Sequence, residues 1–302
     1  MQLFGYSPEP QEAERFVSSL PHPTIATAGP DLVLDDREVT LYEPLLKCMP
    51  EWRRGAQGIG SCVGWGWALG VDILAAVEVV LKREPESFGG RTLEASVYAF
   101  SRVEARGKSR AGRSDGSYGG AAAKAVRDWG TLHYGIDYGG ERFADYSATR
   151  EKSWGDTGVP DDLEPFAKER RVAEVTLVES FEDAAKAIQN GYPVPVCSMQ
   201  GFTMQRDADG FCSPRGSWAH CMLFCGVRFS KRPGLLCANS WGNSNSGPHY
   251  PQDMPKSFAA CSFWVDASVA TKMLRGRDSY AISGYSGFPP RRIDKWFADG
   301  TF

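Results

Sequence analysis

Gln57-Gly58-Ile59-Gly60-Ser61-Cys62-Val63-Gly64-Trp65 places a cysteine immediately before a long apolar run of helical character. A glycine-rich loop lies just upstream of the sulfur. A helix N-terminus carries a partial positive charge and unpaired N–H groups. Both favour the thiolate, which is the nucleophilic form of cysteine. Gln57 stands five positions before Cys62. Its side-chain amide can donate to an oxygen that turns negative as sulfur attacks a carbonyl.

A thiol nucleophile needs a base within hydrogen-bond reach and a third group to orient that base. The chain has four histidines: His22, His133, His220 and His249. His22 lies in a proline-rich arm, His133 at the end of an expected helix, and His249 in a Gly/Ser/Pro-rich loop. His220 opens the strongest strand pattern, within Trp218 to Phe229, where side chains are held rigidly. Asn239-Ser240-Trp241-Gly242 begins nineteen residues later, at the end of the next apolar strand. An asparagine carbonyl can accept from one imidazole nitrogen and leave the other facing sulfur. Trp241 is placed to shield that contact from water.

Composition sets outer bounds. In 302 residues the apolar share is 42% and the charged share 24%, as in ordinary globular domains. A net charge of −3 argues against nucleic acid as a partner, since phosphate binding needs a concentrated basic surface. Arg102 to Arg113 is basic but mixed with Gly and Ser, and reads as a solvated loop. No basic segment followed by an apolar stretch marks a secretion signal. The expected location is therefore cytoplasmic or within a viral particle. Cys62 to Leu81 is about long enough to span a bilayer, but Asp72, Glu78 and three glycines (64, 66 and 70) make it a buried helix instead. No membrane partner is expected. Eight cysteines without an export signal imply reduced thiols. Cys221 and Cys225 lie about 13 Å apart along a strand, too far to share one zinc.

Along the chain, Gln11 to Leu20 and Leu41 to Met49 are short helical candidates. The run from Cys62 ends by Arg83, with Pro85 just beyond. Leu93 to Val103 and Ala121 to Tyr134 are expected helices, and 137 to 165 an irregular stretch. Strands are expected at Arg171 to Val178, Pro193 to Met199, Trp218 to Phe229, Leu235 to Asn239 and Ser262 to Val265, with a helix at Phe181 to Asn190 closed by Gly191. Helices come first and strands later, which points to an α+β fold in two lobes.

Together these blocks resemble the papain-like cysteine peptidases. That family has a Gln and a Gly, then Gly-Ser-Cys opening the central helix; here these are Gln57, Gly58, Gly60, Ser61 and Cys62. A His opening an apolar strand is matched by His220 before Cys221-Met222-Leu223-Phe224-Cys225-Gly226, and Asn-Ser-Trp-Gly by residues 239 to 242. A Gly-Gly pair that holds extended substrate is matched by Gly119 and Gly120. The resemblance implies a helical lobe with a long central helix, an antiparallel β lobe, and a cleft between them. It implies Cys62, His220, Asn239 and Gln57 as catalytic groups, Trp241 as support, and Gly119 and Gly120 as substrate-binding. It implies a peptide or protein substrate and no metal or organic cofactor. The chain also departs from the family. Gln57 is one residue nearer the sulfur than usual. Ile59 and Ser117 stand where the family usually has a bonded pair of cysteines. Val63 replaces an aromatic, and Ala219 an Asn or Asp.

The expected organisation is an N-terminal arm (1–44), a helical lobe carrying the nucleophile (45–165), a β lobe carrying the histidine and asparagine (166–266) and a C-terminal extension (267–302). A nucleophile elbow needs a strand before the cysteine, and Glu51 to Gly55 is a poor one. Gly58, Gly60 and Gly64 miss the spacing of a dinucleotide loop. The rival expectation is a structural or binding module that keeps this fold without catalysis, inside a larger assembly such as a virus particle.

Overall fold

A computed structural model describes residues 2–82, 88–107 and 114–293. The chain runs α1 (Pro10–Ser18), α2 (Ile25–Ala28), β1 (Val39–Thr40), α3 (Tyr42–Cys48), α4 (Cys62–Lys82), α5 (Glu94–Arg102) and α6 (Gly119–Asp128). It continues through β2 (Asp137–Tyr138), β3 (Glu141–Arg142), α7 (Ala148–Thr157), α8 (Glu164–Lys168), β4 (Glu174–Leu177), α9 (Phe181–Gln189) and β5 (Val194–Phe202). Last come β6 (Pro214–Arg228), β7 (Gly234–Ala238), α10 (Lys256–Ala259), β8 (Ser262–Asp266), α11 (Ala267–Leu274) and β9 (Tyr280–Ser283).

The fold is α+β, with a long central helix against an antiparallel sheet. The helix is α4, apolar nearly all round, as a helix buried on most sides must be. Trp65, Trp67, Ile73 and Val77 are all buried. Its glycines permit close approach. A Cβ on Gly64 would lie 2.8 Å from the Tyr98 Cβ of α5, and one on Gly66 would lie 3.0 Å from the Met222 carbonyl of β6. Asp72 is tolerated because its carboxylate accepts the Thr92 N–H at 2.7 Å. The expected stop at Arg83 and Pro85 lies outside the described residues, as do 108–113 of the basic loop and 294–302.

The sheet follows the order β1-β6-β7-β8, with β5 also on β6, all antiparallel. It shares one core with α4, while a second core under α5 and α6 gathers Leu93, Phe100, Leu132, Phe143 and Leu163.

Three local expectations are revised. The helix expected over Ala121 to Tyr134 stops at Asp128, since Gly130 takes a φ of 82° and His133 joins Thr92 in an extended bridge. The stretch 137 to 165, read as irregular, holds a small hairpin and α7, whose N-cap Ser147 accepts the Arg150 N–H. Residues 267 to 283 are not an appendage: the buried β9 pairs with β4 from Glu174↔Ser283 to Leu177↔Tyr280.

Candidate active site

Cys62 is the first residue of α4, and its side chain is fully buried. The Cys221 N–H donates to Sγ at 3.3 Å. That amide joins Cys221 to His220, so the sulfur sits against the peptide that follows the imidazole-bearing residue. His220 Nε2 lies 2.8 Å from Asn239 Oδ1. The same oxygen accepts the Ser240 N–H at 2.7 Å, which fixes the orientation of the asparagine amide. An amide oxygen only accepts, so Nε2 carries the proton and Nδ1 keeps its lone pair. Nδ1 is buried without a hydrogen-bond partner among the described residues. Trp241 stacks on the imidazole at 4.4 Å between ring centres and 26° between planes. Arg54 Nε donates to the Asn239 carbonyl at 2.8 Å, fixing the end of β7 from behind.

Burial decides the protonation states. It drives His220 down to about 4, with the nearby Arg54 cation adding to the fall and the Asn239 contact opposing it. Burial pushes the Cys62 thiol far above its ordinary value, and the Cys221 thiol adds to this; N–H groups of Cys221, Gly5 and Val63 oppose it. Sulfur and imidazole therefore both rest neutral, with Sγ held by the Cys221 N–H rather than by the ring.

Gln57 is fixed from the β lobe. Its N–H donates to the Ser240 carbonyl at 3.0 Å, and its Oε1 accepts from Ser240 Oγ at 2.6 Å. Its Nε2 donates to the Ile59 carbonyl at 3.0 Å and to the Leu3 carbonyl at 3.3 Å. Trp241 Nε1 donates to the same Leu3 carbonyl at 3.0 Å. Of the two carbonyls facing the amide of Gln57, one belongs to its own loop and the other to Leu3, far upstream in the chain.

That N-terminal segment occupies the site. The Phe4 ring stands edge-on to His220 at 6.1 Å and to Trp241 at 5.7 Å. The Gly5 and Tyr6 N–H groups donate to the Ala219 carbonyl at 3.2 and 3.0 Å. Ser117 N–H donates to Gly5 O at 2.9 Å and Ser7 N–H to Ser117 O at 2.8 Å, a parallel pairing. The arm crosses the glutamine loop where both strands are bare: a Cβ on Gly5 would lie 1.9 Å from the Gly60 carbonyl oxygen. The buried Tyr6 phenol lies near the Asp278 carboxylate.

Gly119 and Gly120 do not line this cleft with their donors. They open α6, and their N–H groups donate to Asp278 at 2.7 and 2.6 Å. The first N–H groups of a helix lack intrahelical partners, and here a buried carboxylate satisfies them. The backbone edge along the arm is Ser117 instead. Burial raises Asp278 to about 7 even against these hydrogen bonds.

No protein-family model matches the sequence, and a comparison with curated proteins finds no match. Solved structures do match. Xylellain, a cysteine protease from Xylella fastidiosa, aligns over 93% of this chain and 91% of its own, with a TM-score of 0.54 at 15% identity. Procathepsin B S9 from Trypanosoma congolense aligns over 92% and 85%, with a TM-score of 0.52 at 13% identity. The Amb a 11 cysteine protease of ragweed pollen, in its proform, aligns over 97% and 77%, with a TM-score of 0.50 at 15% identity.

The chain has the papain-like fold. Within this papain-like fold Cys62, His220, Asn239, Gln57 and Trp241 come together, whereas His133 sits apart, buried between Thr131 and Gly90. Sequence reasoning missed the arm at Leu3 to Ser7, the carboxylate of Asp278 and the brace of Arg54. Leu3-Phe4-Gly5-Tyr6 did carry a signal, being apolar residues around a glycine at an exposed-looking terminus.

Proposed function

We propose that the chain is a papain-like thiol hydrolase cleaving peptide or related amide bonds, kept dormant by its own first residues. The observation that carries this is the 2.8 Å contact between His220 Nε2 and Asn239 Oδ1, with Cys62 Sγ held against the adjoining Cys221 amide. With the arm displaced, Cys62 attacks the substrate carbonyl. His220 Nδ1 takes the thiol proton and later gives it to the leaving amine. Asn239 holds the imidazole in that tautomer. The Gln57 side-chain amide and the Cys62 N–H hold the oxyanion. Water then releases the acyl group from sulfur by the same steps.

Dormancy follows from desolvation. Under the arm, burial favours the neutral thiol and the neutral imidazole. When water returns, the imidazole rises towards its ordinary value and the thiol falls, so the ion pair becomes accessible. The covered cleft also favours a second reading, a scaffold that retains the fold without turnover. Iodoacetamide labelling near neutral pH, followed by a peptide-library screen, separates the two. A hydrolase alkylates at Cys62 faster than at its other thiols once the arm is displaced, and Cys62→Ala ends hydrolysis. Undiminished turnover in Cys62→Ala, or a Cys62 that stays inert with the arm out, removes the hydrolase reading.

A further inference from the structure

The loop from Gln57 to Ser61 carries both oxyanion donors of the proposed reaction, the Gln57 amide and, at its end, the Cys62 N–H. Its N-terminal side is tied to the β lobe through Ser240 and Trp241. Its C-terminal side is tied elsewhere, to Tyr146 and Asp115 of the helical lobe. The Gly58 N–H donates to the Tyr146 hydroxyl at 2.7 Å, and that hydroxyl donates onward to Glu151 Oε2 at 2.7 Å. The Gly60 N–H donates to Asp115 Oδ2 at 3.1 Å, and Asp115 is held by Lys152 Nζ at 2.9 Å. Alternate amides of the glycine loop are therefore pinned by Tyr146 and Asp115, each held in turn by a residue of α7.

The packing around this brace is close. The Tyr146 ring meets the Trp65 indole edge-on at 5.1 Å. The Glu151 carboxyl is buried against Ser61 and Trp65 at the start of α4. A Cβ on Gly58 would lie 2.7 Å from the Ala148 Cβ. Glycines permit many backbone conformations, so a loop of this composition needs outside contacts to hold one. Gly58 follows Gln57 directly, so fixing its amide fixes the plane of the peptide on which the Gln57 side chain is carried.

We propose that Tyr146, supported by Glu151, is a positioning residue for the oxyanion site: it holds the Gly58 amide so that the Gln57 side chain faces the reacting carbonyl. This rests on the hydrolase reading above. Neither residue touches substrate. Both act through the loop, and their loss loosens the hole while leaving the nucleophile in place.

Two reactions of the same sulfur separate those effects. Alkylation by iodoacetamide develops no oxyanion. Acylation by a p-nitrophenyl ester does. Both rates are to be measured on the full-length chain carrying Gly5→Val, which is expected to drive the arm from the cleft because a Cβ there would lie 1.9 Å from the Gly60 carbonyl oxygen. Adding Tyr146→Phe keeps the ring on Trp65 and removes the hydroxyl. Acylation is expected to fall about 10- to 100-fold, with alkylation changed less than about twofold. Glu151→Ala is expected to behave similarly, and Glu151→Gln, which still offers Tyr146 an acceptor, to recover most of the loss. Unchanged acylation in Tyr146→Phe overturns the proposal, as does an equal fall in both rates, which marks general damage to packing. A sulfur that alkylates but never acylates, even with Tyr146 intact, overturns the hydrolase reading and this inference with it.

Discussion

At the scale of single residues, desolvation outweighs every local interaction that would charge the pair. Cys62 has a helix N-terminus and three backbone N–H groups in its favour, yet burial holds its proton. His220 has the Asn239 contact in its favour, yet burial holds it neutral down to about pH 4. In the native chain Cys62 alkylation should therefore be slow at pH 7 and rise only well above the ordinary thiol range. With the arm displaced, the profile should move to lower pH by more than one unit; an unmoved profile, read by mass spectrometry across pH, contradicts this. Asn239→Ala leaves the imidazole without its orienting acceptor. Hydrolysis should drop at least about 10-fold with little change in KM, because ring orientation matters to proton transfer and not to substrate docking.

At the scale of elements, the arm covers the candidate site and α7 braces the loop beside it. Burying Tyr6 contributes about 2 kcal/mol, and each backbone hydrogen bond of the arm about 1 kcal/mol. Ordering each arm residue costs about 1–2 kcal/mol. These terms are of similar size, so the arm is held by a small surplus. Gly5→Val puts side-chain atoms where the Gly60 carbonyl stands, at a 1.9 Å approach for Cβ alone. The variant should release the arm and raise the Cys62 alkylation rate at pH 7 at least about 10-fold, with the melting temperature lowered only slightly. An unchanged rate means the arm does not gate the sulfur. The element α7 was hidden in sequence because its apolar spacing is thin; its only clear mark was Ser147 at the N-cap. What α7 contributes to the site comes from Glu151 and Lys152, whose partners at Tyr146 and Asp115 lie outside the helix itself.

For the whole molecule, buried ionisable groups set the response to pH. Burial raises Asp72 to about 7, Glu104 to about 7, Glu151 to about 8 and Asp278 to about 7. The unfolded chain releases these protons near pH 4. Between there and pH 8 the folded chain binds more protons, so stability falls as pH rises. His133 and His220 act in the opposite sense: both are lowered by burial to about 4, so their contribution is lost as pH falls from about 6.5 through 4. The raised carboxyls outnumber the lowered imidazoles. The melting temperature should therefore decline from pH 5 to pH 8, and Glu151→Gln or Asp278→Asn should flatten the decline. Calorimetry showing a rise over that interval contradicts the assignment.

Patterns along the chain were enough for the α+β class, the central helix from Cys62 and the strand bearing His220, because each depends on apolar periodicity and short-range caps. They also singled out Cys62, His220, Asn239 and Gln57 by residue type and spacing, although His220, expected to open its strand, lies inside β6 and Gln57 lies in a loop. They gave Gly119 and Gly120 a substrate-binding role, whereas in the fold the Asp278 carboxylate, 159 and 158 positions away, takes their N–H groups. Folding alone brought Leu3 to Ser7 over the sulfur, set Asp278 beneath Tyr6, and joined Tyr146 to Gly58. Such contacts join segments far apart in sequence, and their energy lies in desolvation, which depends on what surrounds a group in space and leaves no periodic trace along the chain.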